Sequence, residues 1–427
     1  MSPLSIAFLV FYTLFSVFIL YTMTCSSSNS SVKRALTHDI PNFILSQVEK
    51  NFGAEAADAV HKAHDYVMYK PNPIFQILFL FIGLGSWSVY IAYAFPLIIA
   101  SETVSSWHAL TGFLTFLACM GSFKMACHVP PGVITARNMP KFDNYKYDDL
   151  LFTNQICPTA HIRKLPRSKF CRVTQRHIPR FDHFCSWLNQ SIGEENYRYF
   201  VLFLFIQTFM CIYGAFITAL LFWEQIVTMD LMNARFYNAA TGEEVPVGKS
   251  VIFHYLYRSN QCVAICFFLQ LILGISFILF LGFHIMLICC NMTTNEYFKW
   301  RSVKAWHKNA EKSYLQAIKE GRARGKEGIV KGEGGKAAAE ELENVDVGCT
   351  GVSRKKFQKN GQDRNNDELD DTIDPGPMPT NFYNIGIKEN IKEVIFPRSL
   401  RKDALIRWAK FVLESDEKEK RTRQKKD

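Results

Sequence analysis

Asp182, His183 and Cys185 place three residue types of covalent catalysis within four positions of one another. A thiol is nucleophilic as its thiolate, and a neighbouring imidazole or cationic group lowers its pKa. An imidazole holds the tautomer a general base needs when an acceptor takes its second N–H, the relation that catalytic triads share. Cys185 is then the nucleophile, His183 the base and Asp182 its orienting acceptor. Neighbouring residues do not generally meet on a regular helix or strand, so the segment needs a tight turn. Pro179 and Gly193 are compatible with one. The residues alone leave two other readings open. Cys185 is also readable as an ordinary buried thiol beside a satisfied His183, and Cys157, Cys171, His177, His183 and Cys185 as structural zinc ligands.

The elements that must position these residues are membrane spans. The chain has 427 residues, 48% hydrophobic, with 36 Phe, and no Lys or Arg in 1–32, 71–123, 199–234 or 259–298. Charge is excluded from such blocks because each charge at a bilayer centre costs a few kcal/mol or more. About 20 apolar residues cross a bilayer as a helix. Five windows qualify: Leu4–Met23, Ile74–Leu97, Trp107–Phe123, Phe200–Trp223 and Cys262–Cys290. The first lacks a basic start and a clear cleavage site, so it reads as an uncleaved anchor rather than a signal peptide. The expected fold class is thus an α-helical polytopic membrane protein of about five transmembrane helices.

Lys and Arg in the connections orient the spans. Segment 24–73 carries five, 124–198 twelve and the tail 291–427 twenty-nine, while the link 98–106 carries none. Loop 224–261 has three, against four acidic residues. Segments 24–73, 124–198 and 291–427 are therefore expected in the cytosol, and loop 224–261 in the lumen. Segment 124–198, between spans 3 and 4, is a small cytosolic domain containing Cys and His, flanked by spans 1–123 and 199–290. The net charge of +10 follows the flanks of the apolar blocks and the tail, which points to membrane lipids and away from nucleic acid. In the tail, 322–378 reads as disordered, 381–397 regains aromatic and branched residues, and 399–414 reads as an amphipathic helix. That helix carries Leu400, Ala404, Trp408 and Phe411 on one face. It suits either a membrane surface or the face of the cytosolic domain. The scattered Cys residues within apolar blocks read as small buried hydrophobes, with no disulfide framework.

Cys185 lies about 15 residues before a span, where an acyl-CoA can leave its chain in the bilayer and its thioester in water. With Arg167-Ser168, Cys171, Asp182-His183-x-Cys185, Trp187, Asn189, Ile192-Gly193 and Asn196-Tyr197 in order, the core resembles the DHHC family of protein S-acyltransferases. Thr293-Thr294-Asn295-Glu296 resembles that family's Thr-Thr-x-Glu motif. Asn381-Phe-Tyr-Asn-Ile-Gly386, followed by Asn390–Phe396, resembles its tail motif. Span count and motif wording resemble the endoplasmic-reticulum branch that contains human DHHC member 4 and its yeast counterpart.

The resemblance implies that Cys185 takes the acyl group of palmitoyl-CoA or a similar acyl-CoA and passes it to a substrate protein's membrane-proximal cytosolic cysteine. It implies that Thr293 or Thr294 contacts Asp182 and that Asn390 supports the site from the tail. CoA phosphates would meet basic residues among Arg163, Lys164, Arg167, Lys169 and Arg172. The family's two zinc sites are largely eroded here. Cys157 and His177 keep two positions of one, with His161 a further donor, while Ala160 and Phe170 replace the rest. Of the other, Cys171 remains, and Thr174, Phe184 and Ser191 replace its partners. Tetrahedral zinc needs four N or S ligands, so no bound zinc or other cofactor is expected. Packing of Phe170, Phe181, Phe184, Trp187 and Leu188 is expected to replace the metal. The eroded ligands also motivate a non-catalytic scaffold as the alternative function. The basic end, Arg423-Gln-Lys425-Lys426-Asp427, loosely resembles a dibasic retrieval signal, and together with the branch resemblance it gives the endoplasmic reticulum as first location and the Golgi as second.

Overall fold

The computed structural model describes residues 39–237, 242–321 and 374–423. The window Leu4–Met23 lies outside these residues, as does most of the segment read as disordered. Among the described residues four helices are long and apolar enough to cross a membrane: α3 (Ile74–Ala100), α4 (Trp107–His128), α6 (Tyr197–Thr228) and α8 (Gln261–Cys289). They coincide with four of the expected windows and run a turn or so beyond most of them. Two short helices, α1 (Ile40–Phe52) and α2 (Ala54–Tyr69), precede α3 and pack on each other. Within α3, a single π turn at Tyr90–Ala94 precedes Pro96. Proline has no N–H for the helical ladder, and a local π turn absorbs that break.

The chain divides into two compact units. The first holds the described residues up to Gly132, with Cys171–Gln175 and Phe184–Met286. Here α4 packs along α6, and Ile98, Val104, Ala109, Ile217 and Leu221 form one buried cluster. Cys119 and Cys211 are buried as expected, but Cys119 also donates to Gln207 Oε1 at 2.6 Å. At one end Glu224 accepts from Ser101 Oγ and from the N–H groups of Glu102 and Thr103. A hairpin of β5 (Arg235–Tyr237) and β6 (Glu244–Pro246) leads into α7 (Lys249–Ser259).

The second unit holds Val133–Phe170, Arg176–His183 and the described residues from Leu287 onward. It contains the one-turn α5 (Met139–Phe142), α9 (Thr294–Lys319), α10 (Ile387–Ile395) and α11 (Lys402–Arg423). One small core is Ile134, Phe142 and Leu165; another is Tyr145, Phe152 and Tyr383. The tail helix α11 packs on α5, with Trp408 beneath the Lys141 ammonium and Arg407 bonded to Asn144. Residues 374–378 are described and anchored, with Gly376 O 2.9 Å from His307 Nε2.

Between α5 and α6 four three-residue strands form two sheets. β1 (Lys169–Cys171) pairs with β2 (Arg176–Ile178), and β3 (His183–Cys185) with β4 (Gln190–Ile192). Strands this short hold only where turns close them. Arg167, Gln175, Arg180 and Asn189 take left-handed backbone conformations around them. Asn tolerates that region at little cost. Phe170 meets the edge of His177, Phe181 lies under the Lys169 ammonium, and Trp187 packs on Phe75.

Candidate active site

Asp182 and His183 stand where strand β3 begins. Asp182 is 2% exposed, and both its oxygens are engaged. Oδ2 lies 2.7 Å from His183 Nδ1, and Oδ1 accepts the Thr294 N–H at 2.7 Å. A carboxylate only accepts, so the first contact fixes the proton on Nδ1 and the lone pair on Nε2. The imidazole is half-buried, with its carboxylate sealed beneath it.

Side chains two positions apart on a strand stand on the same face. His183 and Cys185 therefore share a face of β3, with Phe184 on the other. The expected tight turn is not within the motif. Turns lie on either side of it, at 179–180 and 186–189.

The Thr-Thr-x-Glu residues form the start of α9. Thr293 is its N-cap, with Oγ1 accepting from Glu296 N, while Glu296 Oε2 accepts from Thr293 N. This reciprocal capping box satisfies two of the donors that any helix start leaves unpaired. Thr294, one position on, has its N–H aimed at Asp182. The contact expected of Thr293 or Thr294 thus runs through the Thr294 main chain, not a hydroxyl.

Glu296 has a second duty. Arg167, buried completely, forks onto it through Nε and Nη2 at 2.8 and 2.7 Å. Arg167 also donates to Asn291 Oδ1 and Asn291 O, between the rings of Tyr145 and Tyr383. Burial works against its charge, but Glu296 beside it more than offsets that and holds its pKa above the ordinary value. Arg167 is thus committed to the interior, which removes it from the residues expected to meet CoA phosphate. Arg163 is likewise paired with Asp143, and Lys169 donates to Asn295.

Asn390 is fully buried but caps a helix and does not touch Asp182. Its Nδ2 donates to Cys289 O at 2.8 Å, and Asn381 Nδ2 donates to Cys290 O at 2.7 Å. These are carbonyls that the end of α8 leaves without helical partners. The tail motif therefore terminates the last span. Asn291, Arg180 and Glu393 were missed by sequence reasoning. Asn291 Nδ2 donates to Glu393 Oε2, and Arg180 Nη2 donates to Asn291 Oδ1. The available signal was a polar Asn directly after an apolar span.

Cys185, in the other unit, is half-buried. Its carbonyl accepts from Leu188 N, closing the β3–β4 hairpin. Asn196 braces β4, accepting from Gly193 N and donating to Ser191 O.

The remnant zinc positions behave differently from one another. The buried Cys171 thiol is hydrogen-bonded by Ser191 and Thr174. Although burial raises its pKa, these bonds pull it below the usual thiol value. Both hydroxyls there supply hydrogen bonds to the sulfur. His177 is buried with neither ring nitrogen partnered, and burial lowers its pKa to about 4. A neutral imidazole of that kind suits a metal, but only Cys157 and His161 join it in the pattern. Among the described residues no group of three or more His, Cys, Asp or Glu is placed to hold a metal. The donors fall short of tetrahedral zinc at both positions.

The DHHC palmitoyltransferase family model matches residues 151–301, which span β1 to β4, α6, α8 and the start of α9. The Bos taurus palmitoyltransferase ZDHHC4 is 30% identical over 245 residues, covering 56% of this chain and 70% of that one. The chain belongs to the DHHC palmitoyltransferase family. Mus musculus palmitoyltransferase ZDHHC4 is 34% identical over 190 residues, 43% of this chain and 54% of that one. Palmitoyltransferase SWF1 of Yarrowia lipolytica is 27% identical over 321 residues, 73% and 76% of the two chains. The chain thus spans about half to three quarters of the length of these relatives. Within the DHHC family frame, Phe184 occupies the second His of the name-giving tetrad, giving Asp-His-Phe-Cys.

Proposed function

We propose that the protein transfers a long-chain acyl group from acyl-CoA to cysteine thiols of other proteins through an S-acyl intermediate at Cys185. The observation that carries this is the Asp182 carboxylate, held on one side by Thr294 and fixing the His183 tautomer on the other. His183 Nε2 takes the Cys185 proton, and the thiolate attacks the thioester carbonyl. CoA leaves as a thiol, taking the proton back from the imidazolium. In the second half the thiol of a substrate protein attacks the Cys185 thioester, and Cys185 regains its proton. Zinc enters neither half.

The acceptor class is a cysteine near the membrane on the side where the α4 and α6 ends flank the hairpin. That side is the cytosolic one by the distribution of Lys and Arg. The endoplasmic reticulum is the proposed location, with the Golgi second. The first choice rests on likeness to ZDHHC4 and SWF1.

Incubation of the purified chain in detergent with palmitoyl-CoA tests the reading. Wild type should take a hydroxylamine-sensitive label. Cys185→Ser should abolish it, and His183→Ala should slow it by about 10²–10⁴-fold, the usual contribution of a general base. A folded wild type that takes no label would replace the enzyme with a membrane scaffold.

A further inference from the structure

Cys127 is a second thiol beside Cys185, and nothing in the reaction above uses it. It stands half-buried in the last turn of α4. Gln190 Nε2 of β4 donates to the carbonyls on either side of it, Ala126 O at 3.0 Å and Val129 O at 2.8 Å. β4 is the hydrogen-bonded neighbour of β3, which carries Cys185. From the start of α3, Gln76 Nε2 donates to Leu188 O at 2.9 Å, and the same side chain hydrogen-bonds the Cys127 thiol. Leu188 in turn is tied by its N–H to Cys185 O at 3.2 Å. The hairpin is thus clamped to two helix ends at points that bracket Cys127. These bonds tie the segment that carries Cys185 directly to the helix end that carries Cys127. All these residues belong to one compact unit.

We propose that Cys127 is an internal acyl acceptor, to which the acyl group carried by Cys185 passes within the same chain. The inference rests on the S-acyl-Cys185 reading. The Cys127 sulfur attacks the thioester carbonyl, and the bond from that carbon to the Cys185 sulfur breaks as the new one forms. The Cys127 proton ends on the Cys185 sulfur. One thioester replaces another, so the exchange is nearly balanced in free energy and needs no oxidant, reductant or cofactor. The product keeps its chain at the membrane end of α4, beside the exposed Met125. It returns Cys185 to the free thiol that the next acyl-CoA needs. A disulfide between the two thiols would require an oxidant that the reaction does not supply.

The test is site-mapped acylation of the full chain in detergent micelles with palmitoyl-CoA. Cleavage after Lys124 and Arg137 isolates Cys127, and cleavage after Arg180 and Arg198 isolates Cys185. Wild type should show a hydroxylamine-sensitive palmitoyl mass on both peptides, with Cys185 labelled first. Cys127→Ser should label on Cys185 alone, and Cys185→Ser on neither. Label on Cys185 that never reaches Cys127 overturns this inference and leaves the proposed function standing. Label on neither cysteine of folded wild type overturns both. Cys127 labelling that persists in Cys185→Ser, alone or mixed with Cys127→Ser chains, shows direct or intermolecular acylation and overturns transfer within the chain.

Discussion

Thr294 reaches Asp182 with a main-chain N–H, so its side chain is dispensable for that contact and its amide is not. The position allows an unusually clean substitution. Thr294 is the first residue of α9, where proline is well tolerated because the N–H there has no helical partner to lose. The preceding Thr293 is extended (φ −95°, ψ 163°), the conformation that a following proline demands. Thr294→Pro should therefore remove the bond to Asp182 with little damage to the helix. A hydrogen bond to a charged group contributes about 1.5–3 kcal/mol. Cys185 labelling by palmitoyl-CoA should then slow by about 10- to 100-fold, and the thermal midpoint should fall by only the few degrees that one such bond is worth. Thr294→Val keeps the amide and should label at close to the wild-type rate. A slow Val variant beside a normal Pro variant would assign the role to the hydroxyl instead. Asp182, His183 and Cys185 stand out in the sequence because the chemistry proposed for them depends on residue type. Thr294 was legible only as one of two threonines, because a main-chain donor leaves no mark on residue identity.

At the scale of elements, the spans were the most readable feature, since exclusion of charge from a bilayer is written directly into composition. The short strands were not readable. Three-residue strands carry too little alternation to register, and turns with left-handed Arg167, Gln175, Arg180 and Asn189 set their geometry. The missing zinc ligands were legible in the sequence, and the contacts that surround the remaining ones were not. Aromatic packing was expected, whereas Cys171 is held by the hydroxyls of Ser191 and Thr174. Hydrogen bonds of that kind contribute about 1 kcal/mol each, far less than a structural zinc. The capping box, the Arg167–Glu296 pair and the helix-terminating asparagines of the tail supply further buried hydrogen bonds in the second unit. Metal analysis of purified protein should accordingly return well under one zinc per chain. A value near two would mean that other donors complete both sites. Strong chelation should also leave the thermal midpoint and the acylation rate unchanged.

Across the second unit as a whole, buried charges tie distant parts of the sequence into one network. Arg167 and Arg180 meet Glu296, Asn291 and Glu393, and Arg398 Nε lies 2.6 Å from Glu393 Oε1. Composition showed an excess of basic residues but could not show that several are interior, because burial of a charge depends on a partner more than a hundred residues away. Removing one member of such a pair costs about 3–5 kcal/mol, since the remaining charge stays buried and uncompensated. Glu393 makes this network sensitive to acid. Burial raises its pKa, but Arg180 and Arg167 outweigh burial and hold it at about 2. A depressed carboxylate pKa stabilises the fold fully above the unfolded value, near 4.3, and the stabilisation fades as pH falls toward the folded value. The difference is worth about 3 kcal/mol, roughly half of which should be gone by pH 3 and the rest as pH falls through the folded value. Glu393→Gln should therefore be markedly less stable than wild type at pH 7, and the gap between the two should shrink steadily between pH 5 and 3. Subtracting one protein's midpoint from the other's cancels the remaining titrating groups. A gap that stays constant with pH would mean that Glu393 is held by shape and hydrogen bonds, and that its charge does not help to dock the tail.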